Sequence, residues 1–444
     1  MGQLFGTDGI RGVANTELTP EFAVGLGRSV VRTLREGGNP RPRVAIGRDP
    51  RASGEMLEAA LLAGVTSAGG DVVPLGVLPT PGVAFLTQQL CADSGAVISA
   101  SHNPVGDNGI KFFGPGGYKL TDAEENRISE LLQRTYEDRP TGADIGRVRP
   151  EDGLLARYVD HLMQAADADL SGLRVVVDCA NGAASAVAPE VLRRLGCDVV
   201  AIHAEPDGAN INDGCGSNHP EVIAEAVVAH GADLGVAHDG DADRLIAADH
   251  TGGIVDGDAI LAILAARRHQ REGLQTVVTT VMTNLGFTRA MAQLGIEVIQ
   301  TKVGDRYVLE EMLAHGHPLG GEQSGHLILA DLATTGDGLL SAVALLSAVV
   351  ASGRPLAELA SVMERLPQVL VNVRGVDRQR LTESEAVWSG VDKEVLELGA
   401  AGRVLVRASG TEPLVRVMVE ADELGRAQQV ADRLAGLIAR ELAT

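Results

Sequence analysis

A thrice-repeated α/β architecture with mixed sheets, followed by a smaller α+β segment, is the fold class this chain predicts. Three observations carry that reading. First, the junctions Gly69-Gly70-Asp71-Val72-Val73, Gly196-Cys197-Asp198-Val199-Val200 and Gly295-Ile296-Glu297-Val298-Ile299 read alike. Each follows a stretch of helical spacing, as Leu57, Leu61 and Val65 show for the first, where Gly69 supplies the C-terminal stop. Second, each stretch is preceded by a strand, Val44-Ala45-Ile46, Val175-Val176-Val177 or Val277-Val278-Thr279, so a βαβ unit occurs three times. Third, another apolar strand follows each unit and leads into a polar loop, holding Ser101, Asp239 or Glu322. Open α/β sheets favour ligand sites at the carboxyl ends of their strands, so three equivalent loops are placed for three different tasks.

The boundaries follow from the repeat. The polar run Arg134 to Gly153, with Pro140 and Pro150, separates the first unit from the second. A second boundary lies near Thr251-Gly252-Gly253 and a third near Pro367, which predicts domains 1–152, 153–252, 253–366 and 367–444. The last contains the strand Gln368 to Val373, a helix around Glu383 to Leu398, and a hairpin between Val404-Leu405-Val406 and Val415 to Val419. It lacks the repeat and reads as α+β. The longest apolar stretch, Leu339 to Ala351, is too short for a bilayer and reads as a buried helix.

Composition narrows the function classes. With 444 residues, 45% of them hydrophobic, the chain is long enough for about three or four domains with real cores. The balance of 38 basic against 59 acidic residues, formally −21, opposes binding to nucleic acid or an anionic membrane. No basic-then-apolar run opens the sequence, and Gly6 stands where a myristoylation signal needs Ser or Thr. Cys91, Cys179, Cys197 and Cys215 show no CxxC spacing, so reduced thiols in a cytoplasmic protein are expected. Among the histidines, His203, His230, His269 and His315 read as surface or packing residues, and His219, before Pro220, as a helix start. No P-loop is present, which argues against a nucleotide enzyme.

The chemistry concentrates in four runs. Ala100-Ser101-His102-Asn103-Pro104 presents a hydroxyl at the end of the strand Ala96-Val97-Ile98, and Pro104 stops the element. Gly106-Asp107-Asn108-Gly109 predicts a second turn, after which Lys111 returns toward the hydroxyl, an arrangement suited to phosphate. Asp239-Gly240-Asp241-Ala242-Asp243-Arg244 alternates three carboxylates. In an extended segment these share a face and converge on one hard cation, with Mg²⁺ completing its shell from a phosphate such as phosphorylated Ser101. An EF-hand is excluded, because its sixth position would be Arg244 and its twelfth His250. Gly320-Gly321-Glu322-Gln323-Ser324-Gly325-His326 offers Glu322 and Ser324 to sugar hydroxyls, and its glycines permit close backbone approach. Arg407-Ala408-Ser409-Gly410-Thr411-Glu412-Pro413-Leu414-Val415-Arg416 combines hydroxyls, exposed N–H groups and two guanidinium groups, a nest for phosphate.

These runs, opened by Phe5-Gly6-Thr7-Asp8-Gly9-Ile10-Arg11-Gly12, stand in one order along nearly the whole chain. Together they resemble the α-D-phosphohexomutase superfamily. Ala242 as the second spacer and Gln323 after Glu322 look most like its phosphoglucosamine mutase branch, ahead of phosphoglucomutases and phosphomannomutases. One departure is Val105-Gly106, where a bulkier pair is expected. The resemblance implies four domains around a central cleft and an isomerase that interconverts glucosamine 6-phosphate and glucosamine 1-phosphate, supplying UDP-N-acetylglucosamine and cell-wall synthesis. It implies a phosphoserine at Ser101, one Mg²⁺ per chain held by Ser101, Asp239, Asp241 and Asp243, and a hexosamine bisphosphate as intermediate and activator. Arg11, Lys111 and Arg244 would stabilise the transferring group, and His102, Lys111 or His326 would be the general acid or base. Glu322 and Ser324 would grip the sugar, while Arg407, Ser409, Gly410, Thr411 and Arg416 would hold the nonreacting phosphate. The expected partner is a small sugar phosphate, with no nucleic acid or membrane, and assembly stays open between monomer and homodimer. Two other classes compete: a Mg²⁺-dependent sugar phosphatase and a noncatalytic sugar-phosphate sensor.

Overall fold

The computed structural model describes residues 4–6, 9–137, 139–409 and 412–443. Strands β1 (Ile10–Val13), β2 (Arg43–Arg48), β3 (Asp71–Val77), β4 (Ser94–Ile98) and β5 (Asp107–Phe113) form one sheet in the order β1-β5-β4-β2-β3. Strands β6 (Arg174–Asp178), β7 (Asp198–Ile202), β8 (Leu234–Ala237), β9 (Ile246–Asp249) and β10 (Ile254–Val255) form the next, ordered β10-β9-β8-β6-β7. The third contains β11 (Thr276–Thr280), β12 (Glu297–Thr301), β13 (Leu319–Gly321) and β14 (Leu327–Leu329), ordered β12-β11-β13-β14. In each, the first three strands of the repeat are parallel and a fourth returns antiparallel. The connection between third and fourth strands is therefore the same structural position three times. It carries Ser101, then Asp239 to Asp243, then Glu322.

Local sequence explains these elements. Strands β4 and β8 are buried along their whole length and, beyond Ser94, apolar, as strands covered by helices on both faces must be. Helix Pro20–Glu36 packs on helix Ala52–Ser67, and Gly64 permits it, since a Cβ there would lie 2.4 Å from the Val24 carbonyl oxygen. The apolar run from Leu339 lies in helix Gly338–Ser352, capped by Asp337 and buried from Gly338 to Val349. Among the described residues, no helix is long and apolar enough to cross a membrane. Cys215 is fully buried, and burial pushes its thiol up to about 12.

One local expectation is corrected. Asp107-Asn108-Gly109, read as a turn, lies in β5, where Asn108 pairs with Gly12 and Gly109 with Arg11. The N-terminal strand β1 supplies this partner from about a hundred residues away, and a distant ladder overrides local turn preference.

The chain divides into two compact units, Met1–Met282 with Ile296–Val362 and Thr283–Gly295 with Met363–Thr444. In the second, β15 (Gln368–Arg374), β16 (Gly402–Ala408) and β17 (Leu414–Ala421) form an antiparallel sheet ordered β15-β17-β16. Helices Glu385–Leu398 and Leu424–Glu441 contribute Val387, Val430 and Leu434 to a core shared with Val417. Helix Leu285–Leu294, the helix of the third repeat, belongs to this unit. Buried Glu420 holds it there, accepting the Leu285 N–H at 2.9 Å and Arg403 Nε at 2.9 Å.

Candidate active site

Ser101 is held by a bracket of buried polar groups. After β4, the Ser99 hydroxyl donates to Asp49 Oδ2 at 2.6 Å and accepts the Ser101 N–H at 2.9 Å. Arg51 is fully buried; its Nε donates to Asp49 Oδ2 at 2.9 Å, and its terminal nitrogens donate to the carbonyls of Ser101 (3.0 Å), Asn103 (2.8 Å), Pro104 (2.5 Å) and Asp107 (3.1 Å). Asn212 Nδ2 adds a second donor to the Ser101 carbonyl at 2.9 Å. Held this way, Ser101 adopts φ +53°, a left-handed backbone that costs a non-glycine residue on the order of 1–3 kcal/mol. The expected effect of Arg51→Met is a loss of about 3–5 kcal/mol, because it leaves the buried Asp49 uncompensated. Urea denaturation measures this, and a variant of wild-type stability would refute the bracket.

The Ser101 hydroxyl donates to Asp239 Oδ2 at 2.5 Å, and His102 Nδ1 lies 3.4 Å from the Ser101 Oγ. Burial and then the charges of Arg244 and Arg11 push His102 down to about 4, so its imidazole is neutral near pH 7. Arg11 is placed by β1, whose register sets it opposite Gly109.

Asp239, Asp241 and Asp243 converge, with carboxylate oxygens within 4.8 Å of one another, and all three are buried. The expected extended alternation is not the reason. The segment turns at Gly240 and Asp241, and Ala242 takes φ +57°, so a turn brings the three carboxylates together. Helix Thr80–Gln89 anchors the turn: Thr80 Oγ1 donates to Asp241 Oδ2 at 2.6 Å and its N–H to the Asp241 carbonyl at 3.0 Å. Gly240 is obligatory here, because a Cβ would lie 2.5 Å from the Ser101 carbonyl oxygen. Burial and the two neighbouring carboxylates raise Asp239. Burial also raises Asp243, but His326, Lys111 and Arg244 outweigh it and hold that carboxyl well below the usual range. Among the described residues, Asp241 Oδ1 and Asp243 Oδ1 are buried without a hydrogen-bond partner. Buried carboxylate oxygens without donors, beside a raised carboxylate, fit an oxygen-liganded divalent cation.

Cations and the third loop complete this cluster. Lys111 Nζ lies 3.3 Å from Asp241 and 3.9 Å from Asp243, and Arg244 Nε lies 4.0 Å from Asp239 and 3.9 Å from Asp243. His326 stands between Asp243 (Nδ1, 3.5 Å) and Asp305 (Nε2, 3.6 Å). Burial disfavours its charge, yet these carboxylates raise it to about 8, while the Gly336 N–H, 3.1 Å from Nε2, favours the neutral ring with its proton on Nδ1. Glu322 Oε1 accepts the Gly304 N–H at 3.2 Å, and burial raises its carboxyl; Ser324 is exposed on the same hairpin turn.

A second cluster lies in the C-terminal unit. Arg407 pairs directly with Arg416 across β16 and β17, and burial followed by the charge of Arg416 lowers Arg407. Two guanidinium groups side by side are unfavourable unless an anion lies between them. Glu412 neutralises the Arg416 side of the pair, with Arg416 at 2.9 Å and Arg374 at 3.4 Å, and the Ser409 hydroxyl accepts the Glu412 N–H at 3.2 Å. Gly410 and Thr411 lie outside the described residues.

Sequence reasoning missed Asp49, Arg51, Ser99, Thr80, Asn212 and Asp305. The first two follow β2 in Gly47-Arg48-Asp49-Pro50-Arg51, and their place at the carboxyl end of a parallel strand was the available signal. Asp305, which also pairs with Lys119, opens helix Asp305–His315 and is marked only by a neighbouring Gly304.

Comparison with known proteins places this arrangement. Four family models match in succession: phosphoglucomutase/phosphomannomutase α/β/α domain I over residues 2–139, domain II over 156–253, domain III over 256–366 and the C-terminal domain over 370–437. A phosphoglucosamine mutase of Streptomyces coelicolor is 58% identical over 98% of this chain and 98% of its own. One from Thermobifida fusca is 56% identical over 100% and 99%. Among solved structures, a phosphoglucomutase/phosphomannomutase family protein from Burkholderia thailandensis superposes with a TM-score of 0.83 at 25% identity, covering 99% of this chain and 97% of its own. An Aspergillus fumigatus N-acetylphosphoglucosamine mutase, solved with GlcNAc-6P and magnesium, shares the fold with a TM-score of 0.69 at 17% identity, covering 99% and 96%. The chain belongs to the phosphoglucomutase/phosphomannomutase family, in its phosphoglucosamine mutase branch.

Proposed function

We propose that this enzyme interconverts glucosamine 6-phosphate and glucosamine 1-phosphate through a phosphoserine at Ser101 and a hexosamine bisphosphate. One observation supports it above the rest: a single serine hydroxyl, in a strained backbone, hydrogen-bonded at 2.5 Å to one of three convergent buried carboxylates. O1 and O6 of a hexosamine are too far apart for one direct in-line transfer. Phosphorylated Ser101 therefore gives its phosphoryl group to the free sugar hydroxyl: the Oγ–P bond breaks, a new O–P bond forms, and the hydroxyl proton passes to a base. The bisphosphate turns over and the sequence runs in reverse from the other end, which restores phosphoserine. Proton transfer falls to His102, Lys111 or His326, and single substitutions at each distinguish them by the pH–rate limb they remove.

Asp239, Asp241 and Asp243, with a phosphoryl oxygen on Ser101, would hold one Mg²⁺ per chain. That ion would supply neutralising charge at the reacting phosphoryl group. Arg11, Lys111 and Arg244 add fixed positive charge, so that the site stabilises charge where it develops. Glu322 and Ser324 bind sugar hydroxyls presented in both orientations. Arg407, Ser409, Gly410, Thr411 and Arg416 hold the nonreacting phosphate, in the fourth domain of a chain divided at residues 152, 252 and 366. Arg416→Ala is expected to raise KM about 10- to 150-fold, since a charge-assisted hydrogen bond is worth about 1.5–3 kcal/mol; unaltered affinity in steady-state kinetics would remove Arg416 from this role. A cytoplasmic location and small sugar phosphates as partners belong to the same reading, with monomer and homodimer both compatible.

The deciding experiment supplies hexosamine bisphosphate and compares turnover of glucosamine 6-phosphate with that of glucose 1-phosphate. Faster isomerisation of the amino sugar without release of inorganic phosphate is expected. Preference for glucose phosphate would move the chain toward the phosphoglucomutases, stoichiometric phosphate release would make it a phosphatase, and binding without turnover a sensor.

A further inference from the structure

The second repeat carries another set of metal-ligand side chains, apart from the acidic triad. Asp178 ends β6, His203 directly follows β7, and Cys215 precedes the short turn Gly216–Asn218. Their ligand atoms all lie within 4.8 Å of one another. Asp178 and Cys215 are fully buried, and the His203 side chain is 34% exposed. Each Asp178 oxygen accepts one backbone bond, Oδ1 from the Ala180 N–H and Oδ2 from the Gly216 N–H, both at 2.9 Å, which leaves a lone pair on each. His203 Nδ1 is buried 3.1 Å from Asp178 Oδ1 but out of line for a hydrogen bond, and it makes none among the described residues. A ring nitrogen, a carboxylate and a sulfur thus lie together, and the nitrogen makes no hydrogen bond there. Nitrogen, oxygen and sulfur together are the donor set of a borderline divalent ion, whereas the all-oxygen triad suits a hard one.

We propose that Asp178, His203 and Cys215 bind a divalent transition ion of the zinc class. His203 also lines a cleft of about 570 Å³, with Asn181, Glu205 and Asn210. Donors stand about 2.0–2.3 Å from such an ion, so a tetrahedral set is spaced roughly 3.3–3.8 Å apart, and rotation of the partly exposed His203 closes the present separation. On binding, the Cys215 S–H bond breaks, the sulfur lone pair goes to the metal and the proton goes to solvent. The ion ties β6 and β7 to the segment that carries Asn212 and Asn218, whose amides donate to the Ser101 and His102 carbonyls at 2.9 Å each. Its role is to stabilise that segment.

The test titrates Co²⁺ into the reduced full-length protein in excess Mg²⁺, which occupies the oxygen triad. One equivalent should bind with a thiolate-to-cobalt charge-transfer band, release one proton and raise the thermal midpoint. Cys215→Ser and His203→Gln should each lose the band while Mg²⁺-supported turnover stays within about twofold of wild type. His203 is partly exposed, so His203→Gln decides the matter where Cys215→Ser does not fold. No band in the wild-type protein, or a band that persists in either variant, overturns the proposal.

Discussion

Ser101→Ala is expected to abolish turnover and, with it, the fraction of molecules one phosphate heavier than the chain in intact-mass analysis. The loss should reach on the order of 10⁴-fold or more, because removal of a covalent nucleophile leaves only binding and electrostatics to act on the substrate. The serine sits where nothing else can replace it. Its hydroxyl faces Asp239, and the bracket of Ser99, Asp49 and Arg51 holds its backbone in the left-handed region. Alanine has no oxygen to carry phosphate, yet keeps the backbone contacts, so the variant should remain folded. Wild-type turnover in Ser101→Ala would eliminate the phosphoserine mechanism.

Asp241→Asn separates catalysis from stability in the opposite direction. The amide keeps an oxygen to accept from Thr80, so the anchor to helix Thr80–Gln89 survives. What disappears is one of three negative charges confined within 4.8 Å of one another, together with its ion pair to Lys111, whose cation keeps Asp243 at 3.9 Å. Like charges in a buried cluster repel, so the thermal midpoint of the metal-free variant should equal or exceed that of the metal-free wild type. Turnover should nevertheless fall by at least about 10³-fold, equivalent to roughly 4 kcal/mol of transition-state stabilisation. Chelation with EDTA should inactivate the wild-type enzyme, and added Mg²⁺ should restore it. Activity that survives chelation would show that the three carboxylates serve another purpose.

The repeat and the positions of its three loops were readable from residues alone because they rest on local information. Glycine after a helix, β-branched runs and apolar spacing at 3.6 residues act within a few positions of one another, and the structure returns the same four-strand topology three times. The chemistry-bearing side chains at those loops were readable for a related reason: Ser101, the alternating aspartates and Glu322 are residue types that a plain turn does not need. Distance in the chain set the limit. Asp107 to Gly109 look like a turn until β1 pairs with them, and the aspartates converge through a left-handed Ala242 rather than along a strand. Arg51 looks like a surface charge until folding closes the serine loop around it, and Asp305 until His326 arrives from the next hairpin. The sequence by itself determined which repeating units form and which loops carry oxygen, nitrogen and hydroxyl ligands. Only the tertiary structure decided which charges lose their water and which partners compensate them, because desolvation depends on everything packed around a group and not on its neighbours in the chain.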